Sequence, residues 1–136
     1  MTLLVDTSVW SLLLRREQSP GVPHVSLQRS ALETGERVAT TGIILQELLQ
    51  GAVPPKARKA IAARFGALEY IDARRDDHIA AAELENALRT RGVQVSTVDA
   101  LIAQLAIGHE LVLLSADKDF EHIAEHAPLK VWAPAS

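Results

Sequence analysis

Carboxylates recur in this chain at places where the neighbouring residues are apolar. Asp6 ends the run LLV in LLVDTSVW and is followed at once by Thr7 and Ser8. Asp117 and Asp119 follow LVLL in LVLLSADKDF, Asp99 stands in STVDALIAQLAIG, and Glu47 stands in ILQELLQG. Each has an ordinary explanation. Asp is among the best helix N-caps, so Asp6 could open a helix carrying Val9, Trp10, Leu12 and Leu13, and Asp119 is better placed than Asp117 to cap a helix from Phe120. Ser96 with Asp99 three residues on reads as an acidic form of the capping box, at the favourable end of a helix dipole. Glu47 falls at the edge of its helix's apolar stripe, where it either reaches solvent or points into a pocket.

Taken together, the acids allow a different chemistry, and convergence is the economical reading. If Asp6, Glu47, Asp99 and Asp117 share a pocket, carboxylates about 4 Å apart repel one another by several kcal/mol at low effective dielectric. Bound cations would relieve that repulsion. Hard oxygen ligands, in a chain without cysteine, point to Mg²⁺ or Mn²⁺ rather than zinc. His122 and His126 are four residues apart but lack the intervening HExxH pattern, and His24, His78 and His109 form no metal-binding spacing.

The elements that would position these acids follow from the apolar pattern, which alternates short runs with helix-period stretches as an α/β fold requires. Strands are expected at 3–5, 38–40, 69–71, 111–114 and 130–132, and helices at 8–15, 25–34, 43–50, 56–65, 76–91, 98–107 and 120–125. Runs such as LVLL, without clean alternation, suit a mostly parallel five-stranded sheet flanked by helices on both faces. Ligands bind such sheets beyond the carboxyl ends of the strands, where Asp6 and Asp117 are expected. Gly35, Gly92 and Gly108 each follow a helical stretch and could close it in the left-handed conformation, and Pro54 with Pro55 marks an abrupt helix-to-helix corner.

Composition narrows the class. A length of 136 residues suits one domain with one core, spanning 1–136. The absence of cysteine excludes disulfides and thiolate metal sites and fits the cytoplasm. The apolar stretch 3–14 lacks a basic leader and is interrupted by Asp6, so it does not read as a signal peptide. No window offers the roughly eighteen uninterrupted apolar residues of a membrane span. The net charge of −3, from 14 Lys plus Arg against 17 Asp plus Glu, is not that of a typical basic nucleic-acid binder, although bound divalent cations would invert the sign of an acidic pocket.

From LLVDTSVW through TTGIILQELLQG and STVDALIAQLA to LLSADKDFEHI, in that order, the chain resembles the PIN-domain ribonucleases, specifically the VapC toxins of type II toxin-antitoxin pairs. The resemblance implies a PIN-like fold in which Asp6, Glu47, Asp99 and Asp117 form the catalytic metal centre. Asp119 then matches the second acid of the terminal D-x-D-F segment, as metal ligand, supporting residue or cap. Ser8 would orient Asp6 or a water, with Ser115 in a similar supporting role. The implied activity is endonucleolytic hydrolysis of RNA by divalent-metal-activated water, with one or two ions, leaving 5′-phosphate and 3′-hydroxyl ends. The implied partner is a VapB-like antitoxin covering the site, in a homodimer or a toxin-antitoxin hetero-oligomer.

A phosphatase acting through phosphoaspartate would need a second Asp where Ser8 stands, and a receiver domain has no role for Glu47 or Asp99. The remaining alternatives are a DNA-directed nuclease of the same superfamily and a non-cleaving PIN-fold module that binds protein or RNA. Candidate phosphate contacts are Lys56, Arg58, Lys59 and Arg64 on one helical stretch, with Arg15, Arg16, Arg74, Arg75, Arg89, Arg91 and Lys118, although solvation explains most such residues. An aromatic content of 4% argues against a base-stacking platform, which leaves RNA shape as the basis of substrate choice.

Overall fold

The computed structural model describes residues 1–14, 22–34, 37–51 and 54–134. In chain order, β1 (Leu3–Val5) leads into α1 (Thr7–Leu14), and α2 (Pro23–Thr34) precedes β2 (Val38–Thr41). Next, α3 (Gly42–Leu49) and α4 (Pro55–Phe65) connect β2 to β3 (Glu69–Ile71). The pair α5 (Arg75–Thr90) and α6 (Thr97–Gly108) leads to β4 (Val112–Leu114), and α7 (Asp119–Ala124) precedes β5 (Lys130–Val131). The strands form one sheet in the order β3-β2-β1-β4-β5, with every neighbouring pair parallel. The sheet expected to be mostly parallel is therefore wholly so.

This order matters for function. The chain adds β2 and β3 on one side of β1, then crosses to add β4 and β5 on the other, so the strand order reverses between β1 and β4. In open α/β sheets the helices flanking such a reversal diverge and leave a crevice outside the carboxyl ends. The pairing of Val5 with Leu114 brings Asp6 and Ser115, each the next residue along its chain, to that crevice side by side.

The sheet is held by apolar burial on both faces. Leu3, Leu4, Val5, Leu113 and Leu114 are completely buried, as the unalternated runs LLV and VLL anticipate. Trp10 of α1 packs against Phe65 of α4 with ring centroids 4.6 Å apart, tying the first helix to the β2-to-β3 connection. Pro55 occupies the first turn of α4, where its missing N–H costs no helix bond.

The helix ends revise several expectations. Gly92 closes α5 at φ 78°, with Val93 N–H donating to Leu88 O (2.9 Å) and Gly92 N–H to Arg89 O (3.0 Å), the two bonds of a Schellman turn. Gly108 does not close α6. That helix runs through Gly108, and Glu110 takes the left-handed position at φ 55° instead. The Leu111 N–H is then used to reach Ala106 O (2.8 Å), which is why β4 begins at Val112 rather than at residue 111. Gly35, the third glycine expected to end a helix, lies outside the described residues, as do Arg15 and Arg16.

Trp10, Gln28 and Thr40 each bury an unpartnered polar side-chain atom, and Gln28 of α2 buries two: it is completely enclosed, and among the described residues neither its amide oxygen nor its nitrogen has a hydrogen-bond partner. An unpaired buried amide costs about 1–3 kcal/mol. Gln28→Met, of similar shape and helix propensity, should therefore raise the unfolding free energy by about 1–2 kcal/mol and the Tm by several degrees in thermal denaturation. A lower Tm would show that Gln28 is paired.

Candidate metal centre

The site begins with Asp6, which is 5% exposed at the carboxyl end of β1. Its backbone N–H donates to Leu114 O (3.1 Å), and its carbonyl accepts from Trp10 N–H (3.2 Å), so the residue joins the sheet to the first turn of α1. Its carboxylate accepts the Val9 backbone N–H, so the capping role expected of Asp6 is real. Two serines serve the same carboxylate: Ser8 Oγ donates to Oδ1 and Ser115 Oγ to Oδ2, each at 2.6 Å.

Those hydroxyls are themselves fixed from β4. Ala116 N–H donates to Ser8 Oγ at 2.9 Å, and Asp117 N–H donates to Ser115 Oγ at 3.0 Å. The chain beyond β4 is thus bonded through two serines to the acid beyond β1. Asp117 continues the relay by accepting the Asp119 N–H on Oδ1 at 2.9 Å. The capping role assigned to Asp119 therefore passes to Asp117, because α7 begins at Asp119 itself and the cap position, Lys118, makes no side-chain cap bond.

Asp99 arrives from α6. Ser96 caps that helix by accepting the Asp99 N–H at 3.1 Å, and its hydroxyl also stabilises the Asp99 carboxylate, which faces the acids of the β4 loop. Asp99, Asp117 and Asp119 can each present a carboxylate oxygen such that the three lie within 4.8 Å of one another. Asp6 lies outside this trio but near enough that its charge acts on Asp99 and that of Asp117 acts on it. Glu47 is also outside the trio. It is half-buried on α3 and accepts a hydrogen bond from Thr7 Oγ1 at 3.0 Å.

Thr7 is the residue that sequence reasoning missed. Standing between Asp6 and Ser8, it points its hydroxyl to α3 while Ser8 turns its own to β4. The signal was present as a hydroxyl in the first helical position beside the acid; its partner, 40 residues away, was not visible locally.

The electrostatics are those of too many like charges. Burial pushes the Asp6 carboxyl above its ordinary value of 3.8; the Ser115 and Ser8 hydroxyls and the Val9 N–H pull it back, and the Asp117 charge raises it further. Asp99 is raised by burial first and by Asp117 next, with Ser96 opposing and Asp119 and Asp6 adding repulsion. The donor set suits a hard divalent cation: carboxylate oxygens that converge, with partly buried charge that only protons or a cation can offset. Among the described residues no histidine belongs to the converging group.

Comparison with known proteins identifies the family and the fold. The PIN domain family profile matches residues 3–126. The chain is 32% identical over 126 residues to the VapC ribonuclease Mb1587 of Mycobacterium bovis and to ribonuclease VapC11 of Mycobacterium tuberculosis, covering 90% of this chain and 91% of each relative. Among solved structures, VapBC2 from Rickettsia felis, bound to a DNA fragment from its promoter, superposes with a TM-score of 0.77 at 20% identity, covering 97% of this chain and 98% of that one. VapC20 of Mycobacterium tuberculosis, a sarcin-ricin loop cleaving toxin, superposes with a TM-score of 0.65 at 21% identity over 88% of this chain and 93% of that one. At these identities the structural likeness shows the fold alone.

The raised carboxyls set a sign for stability. A folded-state pKa above the unfolded value of 3.8 means that the native state binds protons more readily, so stability falls as pH rises through the folded value and is regained below it. Metal-free protein should therefore gain Tm as the pH is lowered from neutrality through the raised carboxyls toward the unfolded value of 3.8, and saturating Mn²⁺ should abolish the gain. A Tm that falls throughout this range, with or without Mn²⁺, would contradict the charge balance described.

Proposed function

The chain belongs to the PIN-domain family, within its VapC ribonuclease branch, and from that membership we propose that its 136 residues form one PIN domain acting as a toxin endoribonuclease. It hydrolyses RNA phosphodiester bonds and is neutralised by a cognate VapB-like antitoxin. The observation that supports the reading is the convergence of Asp99 of α6 with Asp117 and Asp119 beyond β4, at the crevice where the sheet order reverses, with Asp6 at the end of β1 near enough for its charge to act on Asp99. A chain without cysteine suits the reducing cytoplasm as the place of action.

Asp6, Glu47, Asp99 and Asp117 are the proposed catalytic ligands, with Asp119 as a further metal ligand. Mg²⁺ or Mn²⁺ held there would supply acidification of an attacking water and neutralisation of charge on the leaving oxygen. The protein's own contribution is orientation. Ser8 and Ser115 fix both oxygens of Asp6, so its remaining lone pairs have set directions. Thr7 fixes one oxygen of Glu47 and leaves the other free to bind. Asp117 and Asp119 are exposed, so this side of the centre is open to an RNA backbone or to a basic side chain of the antitoxin. Such a side chain would inhibit by taking the charge that the cation otherwise satisfies. The assembly would be a toxin homodimer or a toxin-antitoxin hetero-oligomer.

The test is cleavage of structured RNA beside DNA of matched sequence, by antitoxin-free protein in Mg²⁺ or Mn²⁺ and in EDTA. RNA should be cut to 5′-phosphate ends, EDTA should stop the reaction, and folded Asp6→Asn and Asp99→Asn should each lose at least about 100-fold in rate. Ser115→Ala should lose about 10- to 100-fold while keeping its fold. Equal cutting by wild type and both Asn variants would overturn the site, and preferential cutting of DNA would overturn the substrate.

A further inference from the structure

The least ordinary charge distribution in the fold lies on α4. Across PKARKAIAARF the helix carries Lys56, Arg58, Lys59 and Arg64 and no carboxylate, in a chain whose net charge is −3. Three of the four fall in its first half, where the positive end of the helix dipole disfavours cations, and no acid stands in the first turn to offset them. Lys56 and Lys59 are also like charges at i, i+3. By contrast, the cations of α5 are interleaved with Asp76, Asp77, Glu83 and Glu85, and Arg89 pairs with Glu85 at 4.0 Å. All four cations of α4 are exposed, and none makes an ion pair among the described residues. A local arrangement that runs against helix stability without visible compensation is the kind that function retains.

Geometry adds a second observation. Ile61 and Phe65 bury one face of α4, and exposed Ala60, Ala62 and Ala63 leave the outer surface low between the long cationic side chains. The last cation, Arg64, lines a cavity of about 520 Å³ floored by Leu32, Val38 and Leu68. Arg37 stands at its rim, engaged with both oxygens of Glu69, its Nε at 3.0 Å from Oε2. That carboxylate is therefore occupied and does not neutralise Arg64. Val38 and Glu69 are the first residues of β2 and β3, so the cavity opens at the amino edge of the sheet, opposite the acids. From Lys56 to Arg64 the helix advances about 12 Å.

We infer that the exposed face of α4, ending in the Arg64 cavity, is a second RNA-binding surface that grips the phosphodiester backbone away from the scissile phosphate. It rests on the RNA-cleaving reading above and extends it: the substrate must reach from the acidic crevice to this face, so it is a folded or multi-nucleotide RNA rather than a short oligonucleotide. The contacts are to phosphate and carry no base readout. They also answer an electrostatic difficulty, since an acidic centre repels a polyanion and cations elsewhere must supply the attraction.

The experiment measures binding of a fluorescein-labelled RNA hairpin by anisotropy across a KCl series, in EDTA, with Asp99→Asn protein so that nothing is cut. A triple variant, Lys56→Gln/Lys59→Gln/Arg64→Gln, is compared with a charge-matched control at exposed positions elsewhere, Arg29→Gln/Ser30→Glu/Lys130→Gln. At about 0.1 M salt the α4 variant should bind at least about 10-fold more weakly, and the slope of log K against log salt should shrink by about 2 to 3, with the control close to the parent. With the catalytic acids intact, the α4 variant should cleave the hairpin with raised KM and unchanged kcat, while cleavage of a tetranucleotide is unaffected. Identical affinity and salt slope in both triple variants would overturn the inference, as would an α4 variant that keeps its RNA affinity but loses affinity for a polyglutamate peptide. If wild type cuts the hairpin in Mn²⁺ while the α4 variant matches the control, the face alone fails; if wild type neither cuts nor binds RNA, the RNA-cleaving reading fails with it.

Discussion

A buried carboxylate between two parallel strands is costly, and the acidic end of this fold is organised around making that cost bearable. Asp6 is almost fully enclosed, yet it accepts two serine hydroxyls and a backbone N–H. Each serine is in turn held by an N–H from the chain beyond β4. The relay therefore does more than solvate a charge: it locks the ends of β1 and β4 together, and with them the loop that carries Asp117 and Asp119. Removing Asp6 would free two hydroxyls and loosen the geometry of acids it does not touch.

The same constraint explains why the acids are not neutralised within the protein. Hydrogen bonds from hydroxyls stabilise a carboxylate without cancelling its charge, and burial still dominates at Asp6 and Asp99. No cation from Lys or Arg pairs with these acids among the described residues. Uncompensated acidic charge is retained at the carboxyl edge of the sheet, while the cations of α4, unpaired among the described residues, run to Arg64 at the amino edge. Charge separation of this kind suits a polyanionic substrate that must be attracted by one region and processed in another.

How much of this was legible in the sequence depends on the range of the interaction. The strands emerged from unalternated runs such as LLV and LVLL because burial on both faces is a local compositional demand. Asp6 and Asp117 were legible as strand-end acids, and Ser8 and Ser115 as polar neighbours worth marking. That Asp99 shares a pocket with Asp117 was expected, but that Asp119 rather than Asp6 or Glu47 completes the closest group was not legible, because it depends on how α6 meets the loop after β4. Thr7 and Glu47 are separated by 40 residues, and no local pattern announces their bond. Helix termination erred for a related reason: a Schellman turn at Glu110 outweighed the glycine preference at Gly108. The orphaned Gln28 reads in sequence as an unremarkable helix residue.

The central claim is that the crevice at the β1 and β4 ends is a divalent-metal centre, and calorimetric titration with Mn²⁺ tests it most directly. Wild-type protein should bind Mn²⁺ saturably, and folded Asp117→Asn should bind at least about 10-fold more weakly. No saturable binding by wild type, or the same isotherm for both proteins, would contradict the account.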